Sequence, residues 1–501
     1  MIRKFLNRFP PAQVYRWFEI IPGALVWSTL MAAIALSIWW PLAAVYVIIL
    51  FDLYWLLRVG YLVIWLLISW KKFRQALKID WLAKMEEQKD WEKIWHLVVL
   101  PTYQEPLSVI QNTLRAFTKV KYPLDKFIFV LAGEARAGEH FVQVAEAIKQ
   151  EFGPQFGHFL VTVHPANIVG EMAGKGANGH WAGKRAQELI DSLVIPYENV
   201  IVSNFDSDSC PHPQYFACLT YTFLTSPDPQ HSSYQPVALY TNNMWESPAV
   251  TRVVAYSTTF WLLTDLARPE RLFTFSSHSM PFRALVDVGF WQNDIVTEDS
   301  RIFLQCFVRY NGNYRVTPIY VPITMDTVYS GSLWNTLKNQ YKQQRRWAYG
   351  VENFPYMAWH FWRSNTIPFA KKFRYVWNQL EGVYSWATAP LLIFILGRMP
   401  LYFADSATKS TLIAHSAPQA LDWLMTIAML GLFCSATLAA FILPPRPETH
   451  SKFSYIFMLL QWLLFPACMI IFGAIPAVDA QTRLMLGKYL GFWVTEKKRV
   501  V

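Results

Sequence analysis

Hydrophobic positions divide the chain into an apolar start, a mixed centre and an apolar last third. Gly23 to Trp40 is apolar and ends at Pro41, and Leu42 to Trp70 is a longer run that only Asp52 and Arg58 interrupt. Because a helix needs about 20 apolar residues to cross a bilayer, both runs are predicted to span a membrane, the second with tilt. After the centre, we predict further spans near Tyr384 to Leu396, Leu421 to Leu443 and Phe453 to Ile475.

Charged residues indicate how the first two runs are oriented. Basic residues lie before the first run and directly after the second, at Arg3, Lys4, Arg8, Lys71, Lys72, Arg74 and Lys78. Because such residues concentrate in cytoplasmic loops, both flanks are predicted to be cytoplasmic. Asp52 and Arg58 are either a functional intramembrane pair or, as we favour, residues that lie near an interface or pair with neighbouring helices.

The central region, from about Trp81 to Phe369, alternates short β-rich apolar runs with amphipathic helical stretches. The runs predicted to be buried parallel strands are Ile94 to Leu100, Phe127 to Leu131, Phe159 to Val163 and Asn199 to Val202. Leu107 to Thr118 and Glu139 to Glu151 are predicted to be helices between them. This alternation indicates an α/β fold of the doubly wound, Rossmann-like kind, which binds ligands at the carboxyl ends of its strands.

Composition narrows the class of protein. Of 501 residues, 53% are hydrophobic and 16% charged, an apolar excess for a soluble protein of this size. The net charge of +10 fits basic cytoplasmic flanks and contact with anionic lipid, and the lack of a dense Lys/Arg tract argues against nucleic acid as a partner. The five cysteines form no CxxC pair and are expected to be reduced packing residues.

Two acidic motifs are candidates for chemistry. Asp206-Ser207-Asp208 follows a predicted strand, where two carboxylates can hold a hard divalent cation that also binds phosphate oxygens. In Thr297-Glu298-Asp299, the aspartate can act as a general base for a sugar hydroxyl. The same motif also fits the N-cap of a helix over Ser300 to Val308, and both roles can hold together.

Gln343 to Trp347, sequence QQRRW, combines two amides, two guanidiniums and an indole. On a helix, Gln343, Arg346 and Trp347 share one face. A guanidinium is well shaped for a diphosphate, and a flat indole suits the apolar face of a sugar. The pattern therefore predicts a nucleotide-sugar leaving group held beside a saccharide, close to a membrane.

Two loops offer polar groups to a nucleotide. Pro101 to Pro106, sequence PTYQEP, follows the first predicted strand and offers hydroxyls, an amide and a carboxylate for a base and a ribose. Gly174 to Gly179, sequence GKGANG, offers a flexible backbone and the cation of Lys175 to phosphate. Its spacing is not that of a Walker A loop.

The order PTYQEP, GKGAN, DSD, TED, QQRRW resembles that of processive, membrane-embedded family 2 glycosyltransferases, such as cellulose and hyaluronan synthases. The resemblance covers about Leu97 to Gly350 and the spans on either side. It implies a GT-A-type domain inserted between transmembrane helices, with interfacial helices beside it. Phe492 to Lys497 also resembles the FxVTxK gating loop of bacterial cellulose synthase, with an ordinary basic tail as the alternative.

The resemblance implies a division into five regions and a location in the plasma membrane. The regions are two N-terminal transmembrane helices in 1–75, a cytoplasmic GT-A domain in 76–333, interfacial amphipathic helices with QQRRW in 334–375, C-terminal transmembrane helices in 376–478 and an amphipathic tail in 479–501.

The resemblance also implies roles for individual residues. Those implied to bind the nucleotide are Thr102, Tyr103, Glu105, Glu134, Lys175 and Asp206. Asp208, with Asp206, is implied to hold Mg²⁺ or Mn²⁺. Asp299, beside Thr297 and Glu298, is implied to be the catalytic base. Those implied to hold the diphosphate and the acceptor sugar are Gln343, Arg346 and Trp347. Those implied to close over the donor are Phe492, Val494, Thr495 and Lys497.

The sequence departs from the family pattern at two positions. Gln104 stands where an asparagine is common, and Gly133-Glu134 replaces a pair of aspartates. The second departure makes the base-reading role of Glu134 less secure than the other roles.

The expected function is an inverting, metal-dependent transfer from a UDP-sugar that builds a β-linked polysaccharide and exports it through the membrane. No Ser, Cys or carboxylate is obviously poised as a covalent nucleophile, which favours direct displacement. The donor, the growing chain and the bilayer are the expected partners, with room for accessory export subunits. The alternatives are a non-processive membrane transferase that adds one sugar to a lipid or short saccharide, and a scaffold with a decayed transferase domain, which the acidic motifs disfavour.

The five predicted spans conflict with a gate at the C-terminus. A cytoplasmic N-terminus and five crossings would place Phe492 to Lys497 outside the cell, away from the catalytic domain. Either one C-terminal segment does not cross, the weakest being Tyr384 to Leu396, or the loop is not a gate. We favour a cytoplasmic C-terminus.

Overall fold

The computed structural model describes residues 8–406 and 412–493. Val494, Thr495 and Lys497 of the predicted gating loop lie outside these residues, whereas Phe492 lies within them.

An eight-stranded mixed sheet forms the centre of the molecule, in the order β3-β2-β1-β4-β7-β6-β8-β5. The strands are β1 Trp95–Pro101, β2 Phe127–Glu134, β3 His158–His164, β4 Val200–Asn204, β5 Cys210–Pro211, β6 Ser232–Leu239, β7 Ser279–Pro281 and β8 Arg315–Thr324. β1 to β4 pair in parallel, whereas β7 is antiparallel to both β4 and β6. The four predicted parallel strands and the α/β class are therefore confirmed.

The parallel half is buried on both faces. Leu97 to Leu100 in β1 and Phe127 to Leu131 in β2 are fully buried, as continuous apolar runs in a parallel sheet require. The domain's helices are α3 Trp81–Glu86, α4 Leu107–Phe117, α5 Glu139–Phe152, α6 Lys175–Ser192, α7 Tyr215–Thr225, α8 Ala249–Leu266, α9 Phe282–Asp287 and α10 Glu298–Arg309. α4, α5 and α6 pack against the parallel strands through apolar faces such as Ile110, Leu114 and Ile148.

Parallel pairing brings the polar motifs to one edge. Thr102 follows β1, Glu134 ends β2, and Asp206 follows β4. The backbone N–H of Thr102 donates to the carbonyl of Ala132 at 2.7 Å, so the PTYQEP loop begins against β2. The carboxyl edge of the sheet is thus where these side chains meet, as the sequence predicts.

Further helices, several of them long, lie on either side of this domain. They are α1 Pro11–Trp39 and α2 Pro41–Ala76 before it, and α11 Leu333–Ala348, α12 Asn353–Arg363, α13 Phe369–Phe394, α14 Met399–Phe403, α15 Leu412–Ile442 and α16 Ser454–Met485 after it. Pro11 and Pro41 each stand in the first turn of their helix, where the fixed φ of proline is favourable.

Three of the described helices are long and apolar enough to cross a membrane: α1, α2 and α16. α13 and α14 pass the same test together, with a bend of 48° between them. α15 is 31 residues long, and its last part, Phe433–Ile442, is an apolar helix.

Arg58 on α2 forms a salt bridge of 2.7 Å with Glu381 on α13. Of the two interpretations of Asp52 and Arg58, the structure therefore supports pairing with a neighbouring helix for Arg58. This salt bridge lies near the place where α13 meets the α/β domain, since Asn378 on α13 donates to the carbonyl of Arg271.

Candidate active site

The GKGAN loop and the DSD motif meet at the edge of the sheet. Lys175, the first residue of α6, donates from Nζ to Oδ1 of Asp206 at 2.5 Å. The other carboxylate oxygen of Asp206 accepts from the hydroxyl of Ser276 at 2.5 Å. Burial disfavours the charged ammonium, but Asp206 and Glu298 outweigh it and raise the pKa of Lys175. A full positive charge therefore lies beside the first aspartate of the motif.

Asp208 lies deeper than Asp206. Its side chain is fully buried, and Oδ2 accepts a hydrogen bond of 2.8 Å from the backbone N–H of Asp326. Within the part of the chain that the structure describes, no group of three or more His, Cys, Asp or Glu side chains is placed to hold a metal ion. The two oxygen donors of the DSD motif fit a hard cation that takes its remaining ligands from a bound diphosphate.

The TED motif forms the start of helix α10. Thr297 is the N-cap, and Glu298 and Asp299 lie in the first turn. Asp299 Oδ1 accepts from the N–H of Ser300 at 2.8 Å, and the hydroxyl of Thr274 donates to the carbonyl of Asp299 at 2.6 Å. The residue at the predicted N-cap and the predicted catalytic aspartate thus belong to the same turn.

Burial raises the pKa of both acids in this turn, and the charge of Asp299 also raises that of Glu298. Lys175 opposes the shift at both positions, since its Nζ lies 4.0 Å from the carboxylate of Glu298. An aspartate with a raised pKa is a stronger base once it is ionised, which suits abstraction of a hydroxyl proton.

Two of the expected nucleotide-binding residues, Tyr103 and Glu134, contact the guanidinium of Arg136. The Arg136 guanidinium lies 4.2 Å above the ring of Tyr103 and pairs with the carboxylate of Glu134, donating through both Nε and Nη2. Glu105 accepts from the N–H of Tyr103 at 2.7 Å. Sequence reasoning did not single out Arg136, although its position two residues after Glu134 was a usable signal.

QQRRW lies in the last turns of helix α11, and its two arginines face different partners. Arg345 donates to Asp479 on α16 at 2.9 Å. Arg346 lies 4.9 Å from the ring of Phe492, and Trp347 lies 6.0 Å from the ring of Tyr240. The predicted common face of Gln343, Arg346 and Trp347 is thus separate from that of Arg345.

A cavity of about 10 Å³ lies beside this face. Gln343 and Trp347 line it together with Tyr240, Asp326 and Gln340. Burial raises the pKa of Tyr240 far above its usual range, so this hydroxyl is a permanent hydrogen-bond donor. Tyr240 and Asp326 were missed by sequence reasoning because neither belongs to a recognisable motif.

The chain returns to the site at its C-terminal end. The Phe492 ring lies so close to Gly174 that a Cβ atom there would approach Phe492 Cγ to 2.5 Å. The next residue, Trp493, has its ring 3.4 Å from Nζ of Lys342 on α11. Phe492 therefore lies between the GKGAN loop and Arg346, two elements predicted to hold the donor.

A family model described as "Glycosyl transferase family group 2" matches residues 201–478, more than half of the chain. A comparison with curated proteins found no match.

Two solved structures resemble the chain at low sequence identity. Mannosyltransferase PcManGT from Pyrobaculum calidifontis, in complex with GDP-Man and Mn²⁺, is 15% identical with a TM-score of 0.45, over 89% of this chain and 100% of that chain. TarS 1-349 from S. aureus, in complex with UDP-GlcNAc, is 12% identical with a TM-score of 0.35, over 70% of this chain and 91% of that chain.

Proposed function

The chain belongs to group 2 of the glycosyltransferase families, and from that premise we propose that it polymerises sugar from a UDP-sugar into a β-linked polysaccharide at the plasma membrane. The observation that carries the proposal is the placement of helix α11. One face of α11, with Gln343 and Trp347, lines a cavity that also contains Tyr240, and the charges of Asp206, Asp208 and Asp299, which we call the acidic cleft, act on Tyr240. Arg345 forms a hydrogen bond with Asp479 on the apolar helix α16. An acceptor stacked on Trp347 would therefore lie between the catalytic acids and the membrane helices.

The reaction we propose is a single in-line displacement with inversion. Asp299 removes the proton from the acceptor hydroxyl as its oxygen attacks the anomeric carbon. Arg346 and Lys175 stabilise the negative charge that develops on the departing UDP. Asp208 and Asp206 would hold Mg²⁺ or Mn²⁺, which would supply further charge stabilisation at the diphosphate.

Donor recognition would use the carboxyl edge of the sheet. Tyr103 and the stacked Arg136 offer a flat, cationic surface to the base, and Thr102 and Glu105 lie in the adjoining loop. Because Glu134 is already bonded to Arg136, we expect Glu134 to act on the base through this arginine.

The tail would close over the bound donor. Phe492 already contacts Gly174 and lies above Arg346, which supports a gate formed by Phe492, Val494, Thr495 and Lys497. A gate at this place excludes water from the UDP-sugar, which favours transfer to the acceptor over hydrolysis.

Product analysis tests this proposal. The full chain, purified in detergent or lipid nanodiscs, is incubated with Mg²⁺ or Mn²⁺ and a panel of labelled UDP-sugars, and product length and linkage are measured. Long β-linked chains support polymerisation. Products extended by one sugar would instead establish the non-processive alternative, and an absence of UDP release with every donor would exclude transferase activity with UDP-sugars.

Asp299→Asn tests the role of the base. Asparagine keeps the shape and the hydrogen bond to the Ser300 N–H but cannot accept a proton, so we expect a loss of kcat of about 100-fold or more. UDP affinity, measured by calorimetry, should stay near the wild-type value. Equal loss of turnover and UDP binding would mean that Asp299 is structural.

A further inference from the structure

The segment directly after QQRRW contacts the loop that carries Asp299. Glu352 accepts three hydrogen bonds at one carboxylate oxygen, Oε1. The donors are the N–H of Val296 at 3.1 Å, the N–H of Thr297 at 2.9 Å and the hydroxyl of Thr297 at 2.7 Å. Glu352 thus holds Val296 and Thr297, the two residues before α10, against the segment that follows α11.

Thr297 occupies the N-cap position of α10, but its side chain makes no capping hydrogen bond to that helix. A threonine at the N-cap usually accepts a hydrogen bond from an N–H group in the first turn, but Thr297 makes no such bond. Its hydroxyl donates to Glu352 instead. The start of helix α10 is therefore held by hydrogen bonds to Glu352, a residue of another segment. This carboxylate also lies at the positive end of the helix dipole, which is favourable for a negative charge.

Arg301 makes a second connection between the same two segments. Its guanidinium donates to the side chain of Asn353 at 2.7 Å and to the carbonyl of Glu352 at 3.0 Å. Asn353 in turn donates to the hydroxyl of Ser300 at 2.8 Å. Arg301 and Asn353 are almost completely buried, so these contacts restrict the angle between the two segments.

We propose that Glu352 is a positioning residue for sugar transfer, which holds the Asp299 turn at a fixed place relative to Arg346 and Trp347. The base and the groups that hold the diphosphate lie on separate elements, and Glu352 links them. This inference rests on the proposed function, since it assumes that Asp299 is the base. Arg346 has its place on α11 itself, and the residues expected to bind the uridine lie on other segments, so loss of the Glu352 hydrogen bonds moves the Asp299 turn and leaves the groups that bind UDP in place. We therefore expect Glu352 to affect turnover and not donor affinity.

Three substitutions separate hydrogen bonding from charge. Glu352→Ala removes the hydrogen-bond acceptor, so the turn that carries Asp299 should shift. Because a displacement of the base by about 1 Å lowers kcat by about 100-fold, we expect a loss of that size. Glu352→Gln keeps a carbonyl oxygen at the same reach and should recover most of the activity. Glu352→Asp keeps the charge but shortens the reach, so its kcat should lie below that of Glu352→Gln. UDP affinity, measured by calorimetry, should match the wild type in all three variants.

Glu198→Gln is the matched control, because that carboxylate pairs with Arg283 away from the site and is partly exposed. We expect its kcat to be unchanged. The acid limb of the kcat profile should lie at the same pH in Glu352→Gln and in the wild type, since Glu352 exchanges no proton with the substrate.

Other results would overturn the inference. Wild-type kcat in Glu352→Ala, or a loss of UDP affinity that parallels the loss of kcat, would exclude a positioning role. Complete inactivity of Glu352→Gln would mean that the charge matters and not the hydrogen bonds.

If Glu352→Ala does not fold, the comparison of kcat between Glu352→Gln and Glu352→Asp decides. Wild-type protein that releases no UDP from any donor would reject the proposed function as well, whereas active wild type with active Glu352→Ala rejects this inference alone.

Discussion

At Asp299, burial and neighbouring charges act on one carboxyl group in opposite directions. Burial raises its pKa, Lys175 lowers it, and Asp206 raises it again. The result is a pKa above the usual value for an aspartate. Burial and these neighbouring charges therefore shift the ionisation of Asp299 to higher pH than that of an ordinary aspartate.

The pH dependence of turnover follows from this balance. A base must be ionised, so kcat at saturating donor should fall as the pH drops through the pKa of Asp299, which burial raises above the usual range for an aspartate. Removing the opposing cation by Lys175→Met should move this acid limb to still higher pH. Lys184→Met, an exposed position on the same helix, serves as the control. An unshifted limb in Lys175→Met would contradict the electrostatic argument.

At the scale of the element, two adjacent arginines of helix α11 contact two different parts of the chain. Arg345 is bonded to Asp479 on α16, and Arg346 lies at the acidic cleft beside Phe492. Successive residues on a helix point in different directions, so one pentapeptide contacts both α16 and the ring of Phe492.

This difference predicts unequal effects of one substitution. Arg346→Lys should lower kcat/KM by about 100-fold, because lysine cannot supply the planar, two-pronged donor that suits a diphosphate. Arg345→Lys keeps a charge near Asp479 across a partly exposed salt bridge and should change activity little. Steady-state kinetics of both variants test this, and equal losses would mean that the helix acts only as a scaffold.

The tail and the GKGAN loop are a second pair of elements in contact. Gly174→Ala places a Cβ atom against the Phe492 ring, so it should displace the tail and lower kcat/KM. Phe492→Ala makes room for this Cβ. The double variant should therefore lose less activity than the sum of the two single losses. Additive losses would show that the tail and the loop do not act together.

At the scale of the whole molecule, we expect four membrane crossings, formed by α1, α2, α13 with α14, and α15. Gly397, after α13, lies near Ile48 at the start of α2, and Phe441, at the end of α15, lies near Trp70 towards the end of α2. The end of α2 adjoins the catalytic domain, since Lys72 contacts the ring of Tyr320. α13 with α14 therefore leads away from the domain, and α15 returns to it.

Helix α16 contacts the domain through both of its halves. Gln461 accepts from Arg252 at 2.7 Å, and Asp479 accepts from Arg345. Although α16 is long and apolar enough to cross, these contacts along its length lead us to expect that α16, rather than Tyr384 to Leu396, is the segment that does not cross. With a cytoplasmic N-terminus, the tail then lies on the same side as the catalytic domain.

Cysteine labelling in intact cells tests this topology. In a variant without the five native cysteines, Ser406→Cys should react with a membrane-impermeant maleimide, because it follows the far ends of α13 and α14. Ser451→Cys and Val501→Cys should react only after the membrane is permeabilised. Labelling of Val501→Cys in intact cells would place the tail outside and exclude a gate.

Strands β6 and β8 could not be predicted from the sequence, because both contain proline. β6 contains Pro236 and β8 contains Pro318 and Pro322, and a proline within an apolar run argues against a strand because it lacks an N–H donor. The sheet accommodates Pro236 at a register shift between β6 and β8. Pairing across the sheet thus overrides a local signal that is unfavourable.

The sequence by itself determined the parallel strands, the long apolar helices and the order of the motifs. Each of these depends on local periodicity or on residue type, and both are readable along the chain. Only the tertiary structure decided which partners Arg345 and Arg346 contact. It alone also decided that Arg136 forms hydrogen bonds with Glu134, and that Glu352 accepts hydrogen bonds from Val296 and Thr297 at the start of α10. These contacts join segments distant in sequence or facing different ways, and the packing of the sheet and the helices brings them together.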